Sequence, residues 1–429
     1  MEKFIVKGKT ALNGKIKISG SKNSAVAILP AVVLTAETVQ IENLPDITDV
    51  RTMISILENL GVNIRRRGRE AVDLTPGNLS KVAPAYDLVK KMRASYYFMG
   101  SLLARFGHAE VPIPGGCDLG PRPIDQHLKG FSALGANINI EHGMITLTAE
   151  KLSGARIYLD VVSIGATVNL MLAAVAAEGK TVLENVAKEP EIVDLANFLN
   201  AMGASIRGAG TDVIRIEGVN RFKAARHTVI PDRIEAGTFM LAAAATGGTV
   251  TVEDVIPKHL EAITAKLRET GAKVDVDPET IRVEANLPLS PSDLKTFPYP
   301  GFPTDLQPPA MVLLTAAKGL SVVTENVFDG RYNHVDELKR MGAHIKVEGR
   351  TALIEGGYPL TGAPVSAPDL RSGAALIIAA LMAEGDSEVS AVEHVDRGYD
   401  DFEGKLVSLG ASIKRVNDTG FEQRTGNLD

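Results

Sequence analysis

Residues 133–140 read ALGANINI, and the phrase they open with returns five more times: a mostly apolar residue, Gly, a small residue, any residue, then Ile or Val. The copies are NLGVNI, ALGANI, AMGASI, ETGAKV, RMGAHI and SLGASI, with Gly at 61, 135, 203, 271, 342 and 410. Successive glycines lie 74, 68, 68, 71 and 68 residues apart, so one unit is repeated six times. Each Gly follows an amphipathic stretch and precedes an alternating one (ANINIEHGMITLTA, AHIKVEGRTALIEG). That order predicts a helix closed by a left-handed Gly and followed by a hairpin.

A second helix is expected earlier in every unit. Its six copies are NSAVAILPAVVLTAE, RASYYFMGSLLARFG, SIGATVNLMLAAVAAEG, RIEAGTFMLAAAATGG, DLQPPAMVLLTAAKG and RSGAALIIAALMAEG. They are apolar nearly all round, which suits helices packed inside a domain. Short strands follow, such as KTVLENV, GTVTVEDV and LSVVTENV. The predicted fold class is α/β: six βαβαββ units, three per domain, with helices as the inner layer. NRFKAARHTVIP at 220–231 falls between the third and fourth units. We expect one domain over 21–229 and a second over 230–429, completed by residues 1–20, which resemble an opening strand; the chain would then cross between domains twice.

Composition excludes several classes. The 429 residues are 45% hydrophobic and 23% charged, as a globular chain with ample core requires. A net charge of -6 and 5% aromatics without Trp argue against nucleic-acid binding. Arg65, Arg66, Arg67 and Arg69 read as a solvated strand edge. No apolar run nears the roughly 18 residues of a membrane span, and the start reads as strands and turns, not a signal peptide. The single cysteine, Cys117, forms no internal disulfide, so the expected location is the cytoplasm. The eight histidines show no metal-ligand spacing, and neither a Walker sequence nor a dinucleotide fingerprint is present. No metal or cofactor is expected.

Polar residues that differ between equivalent points of a repeat are candidates for chemistry. The buried helices open on Lys22, Arg93, Ser163, Arg233, Asp305 and Arg371. Helix N-termini favour anions, so four cations there point to an anionic ligand or to plain structural roles. Arg93 reads as a ligand or as a snorkelling residue beside Val89, Met92, Tyr96, Met99 and Leu103. Asp305 in Thr304-Asp-Leu-Gln307 reads as part of a capping box. Arg371 after Asp369, and Arg397 after Asp396, read as surface ion pairs. Lys22 in SGSKNSA suits an anion nest. The loop after the short strand is ordinary in five units (ENLPDITDV, ENVAKEPEIVD, EDVIPKHL, ENVFDGRYNHVDEL, EHVDRGYDDF) and becomes PIPGGCDLGPRPIDQHL in the second. Seven of the twelve residues Pro112–Pro123 are Pro or Gly, as in a mobile lid, with Cys117 as a reactive thiol or a small buried residue. Pro123 starts the next helix, and Arg122 is placed to receive a phosphate.

These segments together resemble the enolpyruvyl transferase family, in its branch acting on UDP-N-acetylglucosamine. The carriers are SGSKNSA, KKMRAS, PGGCDLGPRPID, EPEIVD, PDRIEAGTF, FPTD, PDLRSGAAL and DRGYD, spread along nearly the whole chain. The resemblance implies an inside-out α/β barrel for both domains. It implies transfer of the enolpyruvyl group of phosphoenolpyruvate to the 3-hydroxyl of UDP-N-acetylglucosamine, releasing phosphate, as the first committed step of peptidoglycan synthesis. By this likeness the catalytic residues are Cys117, Asp305, Lys22 and Arg397: Asp305 takes the hydroxyl proton, and Cys117 is the proton donor, a covalent adduct site and the target of fosfomycin. Phosphoenolpyruvate would meet Lys22, Asn23, Arg122, Arg371 and Arg397. The nucleotide sugar would meet Asn23, Arg93, Arg122, Pro123, Ile124, Asp125, Gln126, Ser163, Ile164, Gly165, Asp305 and Val327. One departure is Val161 in DVVSIG, where some relatives carry Lys and so a direct contact to the diphosphate. The rival readings are the sister activity on shikimate 3-phosphate and a catalytically silent nucleotide-sugar sensor.

Overall fold

The computed structural model describes residues 2–79, 83–90, 92–113 and 124–417. All six repeated glycines adopt positive φ, between 89° and 105°. A side chain at such a φ is strained, so Gly closes each helix and turns the chain into the next strand. The helices they close are Thr48–Leu60, Asp125–Ala133, Pro190–Ala201, Glu261–Glu269, Val335–Arg340 and Phe402–Ser408. In five units the next two strands pair antiparallel with each other, as Asn137–Glu141 does with Met144–Thr148. In the sixth, Ile413–Asn417 pairs instead with the first strand of the chain, Glu2–Lys7.

Among the described residues the strands form five four-stranded sheets and one three-stranded sheet, all open. Each four-stranded sheet takes a short parallel strand on one edge, such as Arg156–Tyr158 beside Lys180–Glu184. Two of these edge strands come from distant sequence. Asn13–Lys17 joins Thr249–Glu253, and Arg226–Thr228 joins Val39–Glu42. The residues before Ser21 therefore complete sheets whose other strands lie beyond residue 248. The two crossing segments run side by side: Ser21 N donates to Ile230 O at 2.7 Å, and Asp232 N to Ser19 O at 2.9 Å.

The all-round apolar helices are Lys22–Ala31, Phe98–Phe106, Ile164–Ala174, Arg233–Ala245, Gln307–Thr315 and Leu370–Met382. Every residue from Arg371 to Leu381 is buried. At about 1.5–3 kcal/mol per large apolar side chain removed from water, these helices anchor the interior. Phe98–Phe106 packs on Lys22–Ala31 and Ile164–Ala174, and Gln307–Thr315 packs on Arg233–Ala245 and Leu370–Met382. The buried apolar residues form two separate clusters: Ala25 to Val229 in one, Phe4 to Ile18 with Ile234 to Ile413 in the other. Among the described residues, no helix is long and apolar enough to cross a membrane.

A methyl on Gly20 would stand 1.7 Å from the Asn43 carbonyl oxygen, whereas one on Gly410 meets open space at φ +94°. Gly410→Ala carries the backbone strain alone, about 1–2 kcal/mol. Gly20→Ala drives the first crossing segment off the Asn43 main chain, and overpacking of that kind costs about 1–3 kcal/mol or more. Melting midpoints of the two variants measured side by side should fall further for Gly20→Ala; the reverse order would contradict the tight crossing.

Candidate active site

Asp305 sits in the 3-10 turn Thr304–Leu306 that leads into Gln307–Thr315. The capping box expected there does not form. Thr304 Oγ1 donates to Glu325 Oε2 at 3.0 Å, while the Gln307 N–H bonds to the Thr304 main-chain carbonyl. Asp305 therefore points away from its own helix, toward two guanidinium groups. Arg331 Nη2 donates to Oδ1 at 3.1 Å, and Arg371 Nε to Oδ2 at 3.2 Å. Both arginine side chains are 3% exposed, against 27% for Asp305. Burial pushes the Asp305 carboxyl up, but the charges of Arg371, Arg331, Lys22 and Arg233 outweigh it and hold it well below the usual carboxylate range.

The surface pairs expected for Arg371 and Arg397 are replaced by longer-range ones. Asp369 caps its helix by accepting from Arg371 N and Ser372 N at Oδ1, while its Oδ2 accepts from Asn333 Nδ2 and the Ser372 hydroxyl, so both oxygens are occupied. The Arg371 side chain is buried, reaches Asp305 and lies 5.1 Å from the Tyr399 ring centroid. Asp396 is taken by Arg415 at 2.7 Å, leaving Arg397 Nε to donate to Asp49 Oδ1 at 3.1 Å.

Lys22 is the first residue of its helix, and the Ser21 hydroxyl caps it by accepting from Ser24 N. Its Nζ lies 2.9 Å from Asp49 Oδ2, so Asp49 bridges Lys22 and Arg397. Burial pushes the Asp49 carboxyl up, yet those two cations keep it below its ordinary value. Asn23 Nδ2 and Arg233 Nη2 both donate to Glu191 Oε1, at 3.4 and 3.5 Å. Beside them, Glu189 is pushed up by burial and by the Glu191 charge.

Of these groups, Asn23, Glu189, Glu191, Arg233 and Asp305 border a cavity of about 480 Å³ between the two apolar clusters. Asn23, Arg93, Asp125, Gln126, Ser163, Ile164, Gly165, Asp305 and Val327 all line it. Lys22, Arg371 and Arg397 are not in its wall, and neither are Asp49 and Arg331; Arg371 reaches the wall residue Asp305, while Lys22 and Arg397 pair with Asp49. Ile124 is also outside the wall, preceding the helix Asp125–Ala133 and packing on the core. Cys117, Arg122, Pro123 and the rest of the expected lid from 114 on lie outside the described residues. Arg93 does not share one helix with its expected stripe. The chain breaks into Tyr86–Val89, a 3-10 turn Arg93–Tyr97 and Phe98–Phe106, which turns Arg93 to the cavity, 5.9 Å from the Tyr96 ring centroid. Val161, also on the wall, is 59% exposed.

Sequence reasoning missed Asp49 and Arg331, both in loops read as ordinary, and His127 on the wall. Nothing local in the sequence marks any of the three. His127 is defined by its neighbours. Gly100 N donates to Asn169 Oδ1, which turns the Asn169 amide nitrogen toward Tyr96 O and His127 Nδ1. That nitrogen is a donor, so His127 Nδ1 accepts and its proton sits on Nε2. Burial, then the Arg93 charge, push His127 down to about 4, so the ring is neutral near pH 7.

The family described as EPSP synthase (3-phosphoshikimate 1-carboxyvinyltransferase) matches residues 6–406. The chain belongs to the enolpyruvyl transferase family. A family relative from Caldanaerobacter subterraneus subsp. tengcongensis, UDP-N-acetylglucosamine 1-carboxyvinyltransferase 3, is 56% identical over 97% of this chain and 100% of its own. UDP-N-acetylglucosamine 1-carboxyvinyltransferase 2 of Bacillus subtilis is 54% identical over 99% of each. The crystal structure of the enolpyruvyl transferase NikO from Streptomyces tendae superposes with a TM-score of 0.87 at 25% identity, covering 96% of this chain and 98% of that one. EPSP synthase from Acinetobacter baumannii shares the fold, with a TM-score of 0.72 at 20% identity over 97% and 100% of the two chains.

Asp305 has a folded pKa below its unfolded one, so its ion pairs add stability that is complete above about pH 5 and is lost as pH falls toward the folded value. Asp305→Asn also leaves Arg331 and Arg371 buried without that partner, a loss of about 3–5 kcal/mol at pH 7. Melting midpoints taken from pH 7 to pH 3 should show the gap between wild type and Asp305→Asn narrowing with acid. A gap that stays constant would contradict the ion-pair assignment.

Proposed function

We propose that this chain transfers the enolpyruvyl group of phosphoenolpyruvate to the 3-hydroxyl of UDP-N-acetylglucosamine, with release of phosphate, the first committed step of peptidoglycan synthesis. The observation that carries this reading is 54–56% identity, along nearly the whole chain, to relatives bearing that activity in their names. The cavity supports it: nine residues expected at the nucleotide sugar line one space, with Asp305 among them. We place the reaction in the cytoplasm.

Asp305 is the base for the attacking hydroxyl. With both oxygens held by arginines it is a poor one, because its proton affinity is suppressed. Phosphoenolpyruvate brings a phosphate and a carboxylate, either of which competes with Asp305 for Arg371. Arrival of the second substrate thus restores basicity to the group that must act on the first. The hydroxyl oxygen then bonds to C2 while Cys117 delivers a proton to C3. Loss of a C3 proton and cleavage of the C2–O bond to phosphate complete the transfer, with Lys22, Arg122 and Arg397 stabilising the developing charge.

The same reading takes 21–229 as one domain and 1–20 with 230–429 as the other, each an inside-out barrel of three units. The two apolar clusters and the paired crossing segments support that division.

Phosphate release should require both substrates; none from the pair would overturn the enzyme reading in favour of a silent sensor, and release with shikimate 3-phosphate instead would favour the sister activity. Asp305→Ala should lose turnover by about 10²-fold or more while nucleotide-sugar binding changes far less. Strong loss of binding with intact turnover would refute the base role. Cys117→Asp should retain some turnover and resist fosfomycin, and full sensitivity would refute the thiol assignment.

A further inference from the structure

The tripeptide Glu-Asn-Val occurs at 184–186 and again at 325–327, with Glu-Asn-Leu at 42–44 and Glu-Asp-Val at 253–255. At three of these places the glutamate ends its strand and faces a surface cation: Glu42 meets Arg226, Glu184 meets Arg156, and Glu253 meets Lys15. The fourth differs. The strand Gly319–Thr324 stops one residue earlier, and Glu325 is 0% exposed. Among the described residues no cation forms an ion pair with it.

Its partners are uncharged donors from three segments. Oε1 accepts from Thr296 Oγ1 at 2.8 Å and from the main-chain N–H groups of Val327 and Phe328 at 2.8 and 3.1 Å. Oε2 accepts from Thr304 Oγ1 at 3.0 Å. Asn326 N adds a bond to Thr296 Oγ1 at 2.9 Å. Each segment leads directly to the cavity wall: Thr296 precedes Phe297, Thr304 precedes Asp305, and Val327 and Phe328 are wall residues themselves. A buried carboxylate satisfied only by neutral donors is costly to keep where packing alone would serve.

We infer that Glu325 is a positioning residue of the active site, a single side chain that sets Asp305 and the Phe297 and Val327–Phe328 walls at fixed separations around the nucleotide sugar. It touches no reacting atom; it acts through Thr304 and the loop amides. The role requires acceptors at fixed places. Glutamine keeps an oxygen for the three donors at Oε1 and can donate its amide to the Thr304 hydroxyl, so Glu325→Gln preserves the network, while Glu325→Leu removes it.

The inference rests on the proposed transfer reaction, and the test is steady-state phosphate release by the full-length chain with both substrates, normalised to folded protein. Glu325→Gln should stay within about threefold of wild type in kcat/KM for UDP-N-acetylglucosamine. Glu325→Leu should lose about 100-fold, with KM raised as well as kcat lowered. Thr304→Val, which removes the donor to Oε2 beside Asp305, should lose about tenfold with a lowered melting midpoint while still folded at the assay temperature, and it carries the test if Glu325→Leu does not fold. Unchanged kinetics in Thr304→Val and in folded Glu325→Leu would overturn the inference. A Gln variant as damaged as the Leu variant would overturn it too, because charge and not placement would then be the requirement. A wild type without turnover would instead be a failure of the proposed reaction.

Discussion

Asp305 held between Arg331 and Arg371 is the interaction on which the rest of the site depends. Buried helices that open on cations are unfavourable alone, since the positive dipole end and the side chain repel each other and neither is well solvated. Carboxylates from elsewhere in the chain resolve this: Asp305 for Arg331 and Arg371, Asp49 for Lys22 and Arg397, Glu191 for Arg233. The free chain thus carries its own internal anions where an anionic substrate would bind. In the proposed reaction, exchange of one for the other couples binding to the basicity of Asp305.

The repeated scaffold explains how such distant partners meet. Each unit buries one apolar helix and turns its N-terminal end toward the gap between the two apolar clusters. Polar residues at those ends therefore converge although they lie about 70 residues apart in sequence. The crossing near Gly20 and Pro231 ties the clusters together a few residues from Lys22 and Arg233. Glu191 pairing with Arg233, and Asp49 with Arg397, bridge the same gap farther along.

Much of the fold was legible because its signals are local. A Gly at the end of an amphipathic stretch announces a left-handed cap, and each of the six does so; an all-round apolar stretch announces a buried helix. The trade of edge strands was legible only in part, since residues before Ser21 resembled an opening strand while Arg226–Thr228 gave no such sign. Site residues were legible as types and not as pairs. Asp369 beside Arg371 looked like its partner, but a helix cap takes one oxygen of that carboxylate and Asn333 with the Ser372 hydroxyl takes the other, and the true partner stands 66 residues away. Thr304 looked like a cap, but Glu325 claims its hydroxyl. Both errors arise because main-chain donors and long-range packing compete for the same oxygen atoms, and sequence spacing shows only one competitor.

The most direct measurement is a crystal structure of the chain with UDP-N-acetylglucosamine bound, first alone and then with inorganic phosphate. The account predicts the sugar in the cavity, phosphate on Arg371 in the second crystal, and one Asp305 oxygen released from Arg371 to lie within about 3 Å of the 3-hydroxyl. A sugar bound elsewhere, or Asp305 still clasped by both arginines while phosphate sits at another site, would contradict it.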